Sequence, residues 1–162
     1  MRDEVWVAER SGVSPDPERL QLVLNKGEGD GVFLGQPLID ADGLMGQVVE
    51  VSSGTSRALL ITDITHAVPV QVNRNGVRAI AEGTGALESL EIRHISATTD
   101  IRKGDLLVTS GLGGRFPEGY PVAVVTHVER DPGEVFVRVL AAPTAALDRT
   151  RHVLLVFTAQ QS

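Results

Sequence analysis

The chain has 162 residues, enough for one domain or two small ones closely joined. Its 42 % apolar and 22 % charged content excludes wholesale disorder, and the absence of cysteine excludes disulfides, thiol catalysis and cysteine-ligated metals. A formal charge of -6 with scattered Lys and Arg excludes a nucleic-acid or anionic-lipid surface, and no apolar run approaches the roughly 18 residues of a membrane span.

Twenty-two valines and 17 glycines against 4 % aromatics favour short strands joined by glycine turns. The opening stretch, Met1–Gly12, has no apolar h-region and is not a signal peptide; it reads as the cut edge of a longer protein. Strand patterns then follow in order: Val5–Glu9, Gln21–Asn25, Pro37–Asp40, Gln47–Val51, Ala58–Ile61 and Val68–Val72. They continue with Val77–Ala81, Leu90–Ile95, Leu106–Thr109, Val122–Val128, Val135–Leu140 and Val153–Phe157. Short helical turns are expected near Pro17–Leu20 and Thr144–Arg149, and no longer helical stripe occurs.

Asp42-Gly43 and Asn75-Gly76 each fall between two strands and tolerate positive φ, as tight hairpins require. Asp131-Pro132-Gly133 predicts a third hairpin. A loose internal repeat relates Val32–Ile39 to Ile101–Val108: aliphatic, two free positions, Gly, polar, free, Leu, aliphatic. Each copy leads through glycines into a valine strand. Two units of about six strands each would close as small barrels or sandwiches, because closure removes exposed edges. The fold class is all-β.

The order His66, Asp100, Ser110 invites comparison with chymotrypsin-like double barrels. Ser110 lies in Thr109-Ser110-Gly111-Leu112-Gly113-Gly114, which lacks that family's Gly-Asp-Ser-Gly pattern, and Asp100 is too close to it in sequence. The histidines His66, His94, His127 and His152 have no metal-ligand spacing. Asp40-Ala41-Asp42-Gly43 is similar to the start of a calcium loop, but Val51 stands where a bidentate Glu belongs. Gly27-Glu28-Gly29-Asp30-Gly31 would repel a phosphate, and Gly111–Gly114 leads into neither Lys-Ser/Thr nor a helix. No cofactor, metal or small-molecule substrate is expected.

Surface remains. Arg115-Phe116-Pro117-Glu118-Gly119-Tyr120-Pro121 sets two aromatics among prolines in a glycine-framed loop. Arg and aromatics are enriched where proteins bind one another, so Arg115, Phe116, Pro117 and Tyr120 form a candidate protein-contact loop. In the alternative reading, Phe116 and Tyr120 plug a barrel end. Trp6 reads as core.

Several segments, in order, resemble the periplasmic β domain of the MreC rod shape-determining family. They are Gly31–Asp40, Gly43–Val51, Thr55–Asp63, His66–Val72, Arg74-Asn75-Gly76, Gly83-Thr84-Gly85, Gly104–Gly111, Arg115–Val122 and Leu147-Asp148-Arg149. The resemblance covers about residues 20–156 and takes the Gram-negative form. It implies two six-stranded β-barrels packed together, similar in topology to chymotrypsin-like barrels but not enzymes. It also implies a membrane anchor and coiled coil outside this soluble fragment, at the periplasmic face of the inner membrane.

The partners implied by the resemblance are a second copy of the chain, as dimer or filament, and a class B penicillin-binding protein. MreD, RodA and MreB would be reached through the full-length protein. The implied role is a scaffold for cell-wall elongation. The barrels are expected as 1–65 and 66–147, with 148–159 able to cross back and complete the first. Two other readings remain: a serine-type hydrolase on the double barrel, and a solute-binding barrel with an enclosed pocket.

Overall fold

Valine-rich alternation folds as strand where one side of the chain faces a closed interior. The computed structural model describes residues 3–13, 20–148 and 152–158, with side chains for 20–148 and 153–157. Its strands are β1 (Asp3–Val13), β2 (Gln21–Leu24), β3 (Pro37–Asp40), β4 (Gly43–Val51), β5 (Ser56–Leu60) and β6 (Ala67–Val72). They continue with β7 (Arg78–Gly83), β8 (Leu90–Arg93), β9 (Leu106–Thr109), β10 (Pro121–Glu129), β11 (Arg138–Pro143) and β12 (His152–Thr158).

The strands close into two barrels, ordered β1-β12-β3-β4-β5-β2 and β10-β11-β8-β7-β6-β9. The last strand completes the first barrel. Leu155 of β12 stands opposite Trp6 of β1 on one side and Leu38 of β3 on the other. The Trp6 side chain lies outside the described residues. Leu22, Leu24, Leu38, Met45 and Leu155 fill the first interior; Val68, Val70, Val72, Leu90, Ile92 and Leu107 fill the second, all nearly without exposure. The small Ala81 and Ala141 keep the second barrel narrow.

The repeat is a structural one. Residues 32–39 and 101–108 are each a turn entering a hairpin, β3–β4 or β9–β10. Phe33 N donates to Gln36 Oε1 at 3.3 Å, and Arg102 N donates to Asp105 Oδ2 at 2.9 Å. Gly35 N donates to Val48 O and Gly104 N to Val125 O, both at 2.8 Å, with φ of 88° and 94° at the two glycines. The same turn is built twice.

Two local expectations are corrected, the strand start at Val135 and the helical turn at 144–149. Asp131-Pro132-Gly133 turns the chain between antiparallel β10 and β11 as expected, with Glu134 N donating to Asp131 O at 3.2 Å and a φ of 86° at Gly133, but the hairpin loop is long: β10 ends at Glu129 and β11 begins at Arg138. Val135 and Phe136 are 70 % and 65 % exposed, so the alternation that suggested a strand there is not a buried face. The Arg130 guanidinium pins this loop by donating to the carbonyls of Ala97, Thr99 and Ile101. The expected helical turn at 144–149 is absent over 144–148, while 17–19 and 149 lie outside the described residues. A 3-10 turn at Glu28–Asp30 was not legible.

Gly43 does more than its hairpin requires. The expected β3–β4 hairpin turns through Ala41 and Asp42, and Gly43 opens β4 with a φ of 154°. A Cβ there would stand 2.3 Å from Thr144 Oγ1 and 2.6 Å from the Pro121 carbonyl oxygen. Glycine lets the two barrels touch.

Leu155 is fully buried within the closing strand. Leu155→Ala is expected to cost roughly 2–5 kcal/mol in urea unfolding. A loss below about 1 kcal/mol would mean that β12 does not close the barrel.

Candidate functional site

The segment between β5 and β6 runs along the boundary of the barrels, and its polar groups bond to both. Asp63 is fully buried: Oδ1 accepts from Leu20 N at 2.8 Å and Oδ2 from Thr65 N at 2.9 Å. From the second barrel, Gly83 N donates to His66 O at 3.0 Å and Gly85 N to Thr62 O at 2.9 Å. A Cβ on Gly83 would fall 1.8 Å from the Asp63 carbonyl oxygen, so this approach requires glycine.

His66 is the central side chain of this seam, 5 % exposed. Gln47 of β4 donates through Nε2 to Gly35 O at 3.1 Å, which leaves its Oε1 to face His66 Nε2 at 3.1 Å. The His66 proton therefore sits on Nε2, and the bare Nδ1 has no partner among the described residues. The Phe116 ring meets the imidazole edge-on, with centroids 6.1 Å apart. Burial, then the nearby Arg115 charge, push the His66 pKa down to about 4, against a smaller opposing effect of Asp63.

Asp40 fastens another part of the seam. Its Oδ1 accepts from Asp42 N and Gly43 N, and its Oδ2 accepts from Ala146 N at 2.8 Å. This residue caps a hairpin and ties it to the loop after β11. The calcium-like Asp40–Gly43 stretch thus uses its first carboxylate on backbone N–H groups.

The candidate contact loop is closed at its base. Thr109 N donates to Tyr120 O at 2.8 Å, Gly119 N to Thr109 O at 2.9 Å, and Tyr120 N to Thr109 Oγ1 at 2.9 Å. Within it Phe116 is 3 % exposed, Pro117 and Tyr120 are half-buried, and Arg115 is exposed with Leu112. Phe116 fastens the loop to His66 and offers no free ring to a partner. Arg115 makes no salt bridge among the described residues.

The residues His66, Asp100 and Ser110 do not converge. Asp100 lies beyond the opposite end of β6 from His66, about 20 Å away at ~3.3 Å per strand residue. There it accepts from Arg74 and Arg102, and the Arg74 bond chiefly holds its pKa near about 2. Ser110 Oγ accepts from Leu112 N. Among the described residues no group of three His, Asp or Glu is placed to hold a metal. His94 and His127 are exposed, and the His152 side chain lies outside the described residues. The barrel interiors are packed with side chains, and the clefts, such as one of about 250 Å³ lined by Leu87, Pro143 and Leu147, open at the surface.

Sequence reading missed Asp40, Gln47 and Asp63 as seam residues, and the exposed pair Phe33–Leu34 beside them. The signal was present: polar residues close the apolar runs Leu38-Ile39-Asp40 and Leu60-Ile61-Thr62-Asp63. Comparing the repeat copies also sets Phe33-Leu34 against Arg102-Lys103.

Two closed antiparallel barrels joined through buried polar bonds define a tandem β-barrel module. The chain belongs to the MreC family: residues 11–157 match the description Rod shape-determining protein MreC, barrel core. It is 53 % identical over 151 residues to the cell shape-determining protein MreC of Haemophilus influenzae, covering 93 % of this chain and 43 % of that protein. The chain thus spans about two-fifths of that relative.

The crystal structure of MreC from Pseudomonas aeruginosa is 60 % identical and superposes with a TM-score of 0.91, covering 95 % of this chain and 99 % of that one. Two remoter structures share the fold alone. One is the major periplasmic domain of the cell shape-determining filament MreC (20 % identity, TM-score 0.78, 96 % of each chain). The other is MreC in a complex with penicillin-binding protein PBP2 from Helicobacter pylori (23 %, TM-score 0.72, 98 % of this chain and 99 % of that one). The family is a structural, cell shape-determining one and not an enzyme family.

Because the His66 pKa is depressed in the fold, the unfolded chain binds the extra proton first. Stability is full above about pH 6.5 and falls as pH drops toward about 4. At about 1.4 kcal/mol per pH unit, His66 accounts for a loss of about 3 kcal/mol over that window. Thermal melts of wild type and His66→Gln should diverge in slope between those pH values; parallel profiles would place His66 outside the buried seam.

Proposed function

We propose that the chain is a non-catalytic periplasmic scaffold of the cell-wall elongation machinery, held at the inner membrane by a single-pass anchor in the full-length protein. It maintains rod shape by associating with itself and by binding and activating a class B penicillin-binding protein. MreD, RodA and MreB are reached through the full-length protein. The two barrels, 1–65 completed by 148–159 and 66–147, act as one body.

The observation that supports this reading most is the combination of a bonded seam with ordered loops that expose Leu34, Leu112, Val135 and Phe136 to 54–70 %. Exposed apolar side chains on fixed backbone lose little entropy on docking, which suits a binding module. Family membership and the complex known for the H. pylori protein point the same way. A standard interface would bury about 800 Å² per partner. Micromolar dissociation suffices for a tethered assembly, because anchoring raises the effective concentration.

Titration calorimetry of the chain against the periplasmic part of a class B penicillin-binding protein is expected to give a dissociation constant on the order of 1–100 μM. No binding there, together with no self-association in sedimentation at high concentration, would overturn the reading.

A further inference from the structure

The doubled turn supplies an internal control. In the second barrel it exposes Arg102 and Lys103, side chains that a solvated turn accommodates without cost. In the first barrel the equivalent residues are Phe33 and Leu34, 39 % and 66 % exposed. Phe33 leans on Phe157, with ring centroids 6.0 Å apart, but Leu34 projects outward. The turn itself needs only its glycine and the buried polar residue that follows. The turn therefore does not account for the exposed Leu34 at its tip.

This turn sits on the seam. Gly35 O accepts from Gln47, Gln47 accepts from His66, and His66 meets Phe116 of the 110–119 loop edge-on. Arg115 on that loop lies near enough to His66 for its charge to weigh on the imidazole, and it has no acidic partner among the described residues. The same chain of contacts thus runs from exposed apolar groups on the first barrel to an uncommitted cation on the second.

The chain carries a segment of complementary chemistry. Glu134, Val135 and Phe136 are consecutive and all exposed, and Glu134 makes no salt bridge among the described residues. The loop is held in place by Arg130, by the Ala97 N–H donating to Val135 O at 3.0 Å and by the Ser96–Phe136 bridge. It lies at the far end of β10 from Pro121, where the barrels meet, about 26 Å away at ~3.3 Å per residue. A chain cannot seat this loop on its own seam.

We propose that the Glu134–Phe136 loop of one copy docks on the seam face of the next, with Val135 and Phe136 against Phe33–Leu34 and Glu134 against Arg115. The contact is head-to-tail. Each copy keeps one free loop and one free seam, so growth is open-ended unless the rotation closes a ring. This rests on the self-association in the function proposed above and names the surfaces that carry it.

Sedimentation velocity over a concentration series tests the proposal. Leu34→Lys installs the residue type that the same turn carries in the second barrel, so the fold accommodates it; Phe136→Asp and Arg115→Glu alter exposed side chains. Each variant should need at least tenfold more protein than wild type for the same degree of association, with unchanged melting temperature. Arg115→Glu combined with Glu134→Arg should restore assembly. Mixing Leu34→Lys with Phe136→Asp should give dimers and stop there, since one intact seam and one intact loop remain.

Wild-type association by Leu34→Lys, no dimer from the mixture, or a wild type that stays monomeric would each overturn the proposal. Calorimetry against the penicillin-binding protein on the same samples separates the two readings. Retained binding without this association leaves the scaffold function standing, and loss of both removes it.

Discussion

The structure depends on how two closed barrels can be joined at all. A closed sheet has no free edge, so neither barrel can extend its ladder into the other. The junction must come from turns, side chains and close backbone approach. Asp63, Asp40 and the Gln47–His66 pair fix the seam from the first-barrel side, and Gly83 N to His66 O, Gly85 N to Thr62 O and Ala146 N to Asp40 Oδ2 bond across it. Hydrogen bonds to charged groups contribute about 1.5–3 kcal/mol each, and a buried carboxylate left unpaired costs more than that. The seam therefore resists opening.

It also explains the position of the surface features. The Phe33–Leu34 turn and the 110–119 loop belong to different barrels and are 77 residues apart at Gly35 and Leu112, yet both rest on the same buried contacts. Neither would hold its place if the barrels moved independently. The loop at 130–137 is fixed separately, by Arg130 on three carbonyls, at the distal end of the second barrel. A rigid body with apolar features at separated points suits assembly. Asp100 occupied by Arg74, and Ser110 turned onto its own loop, show why the triad order in the sequence has no chemical meaning.

Much of this was legible from the residues. Valine alternation and glycine spacing located the strands, because a narrow barrel interior selects β-branched side chains on one face. The loose repeat marked a turn built twice, down to the side-chain bonds of Gln36 and Asp105. Legibility failed where tertiary contacts decided the outcome. Gly43 reads correctly as a hairpin glycine, but its second role in the close approach of the barrels was not legible. Val135 and Phe136 read as strand interior because alternation cannot distinguish an exposed face from a buried one. Phe116 was open between contact and core until His66 appeared beneath it. The seam acids were illegible because their partners, Leu20 and Ala146, lie 43 and 106 residues away.

The central claim is that the seam makes the barrels one body. Native-state hydrogen exchange of the amides of His66, Gly83 and Ala146, compared with those of Val70 and Leu155, tests it most directly. If the seam holds, these amides exchange only through global unfolding, with the same free energy and denaturant dependence as the barrel cores. Exchange at the seam with a distinctly lower free energy and little denaturant dependence, while the cores stay protected, would show the barrels parting locally and contradict the account.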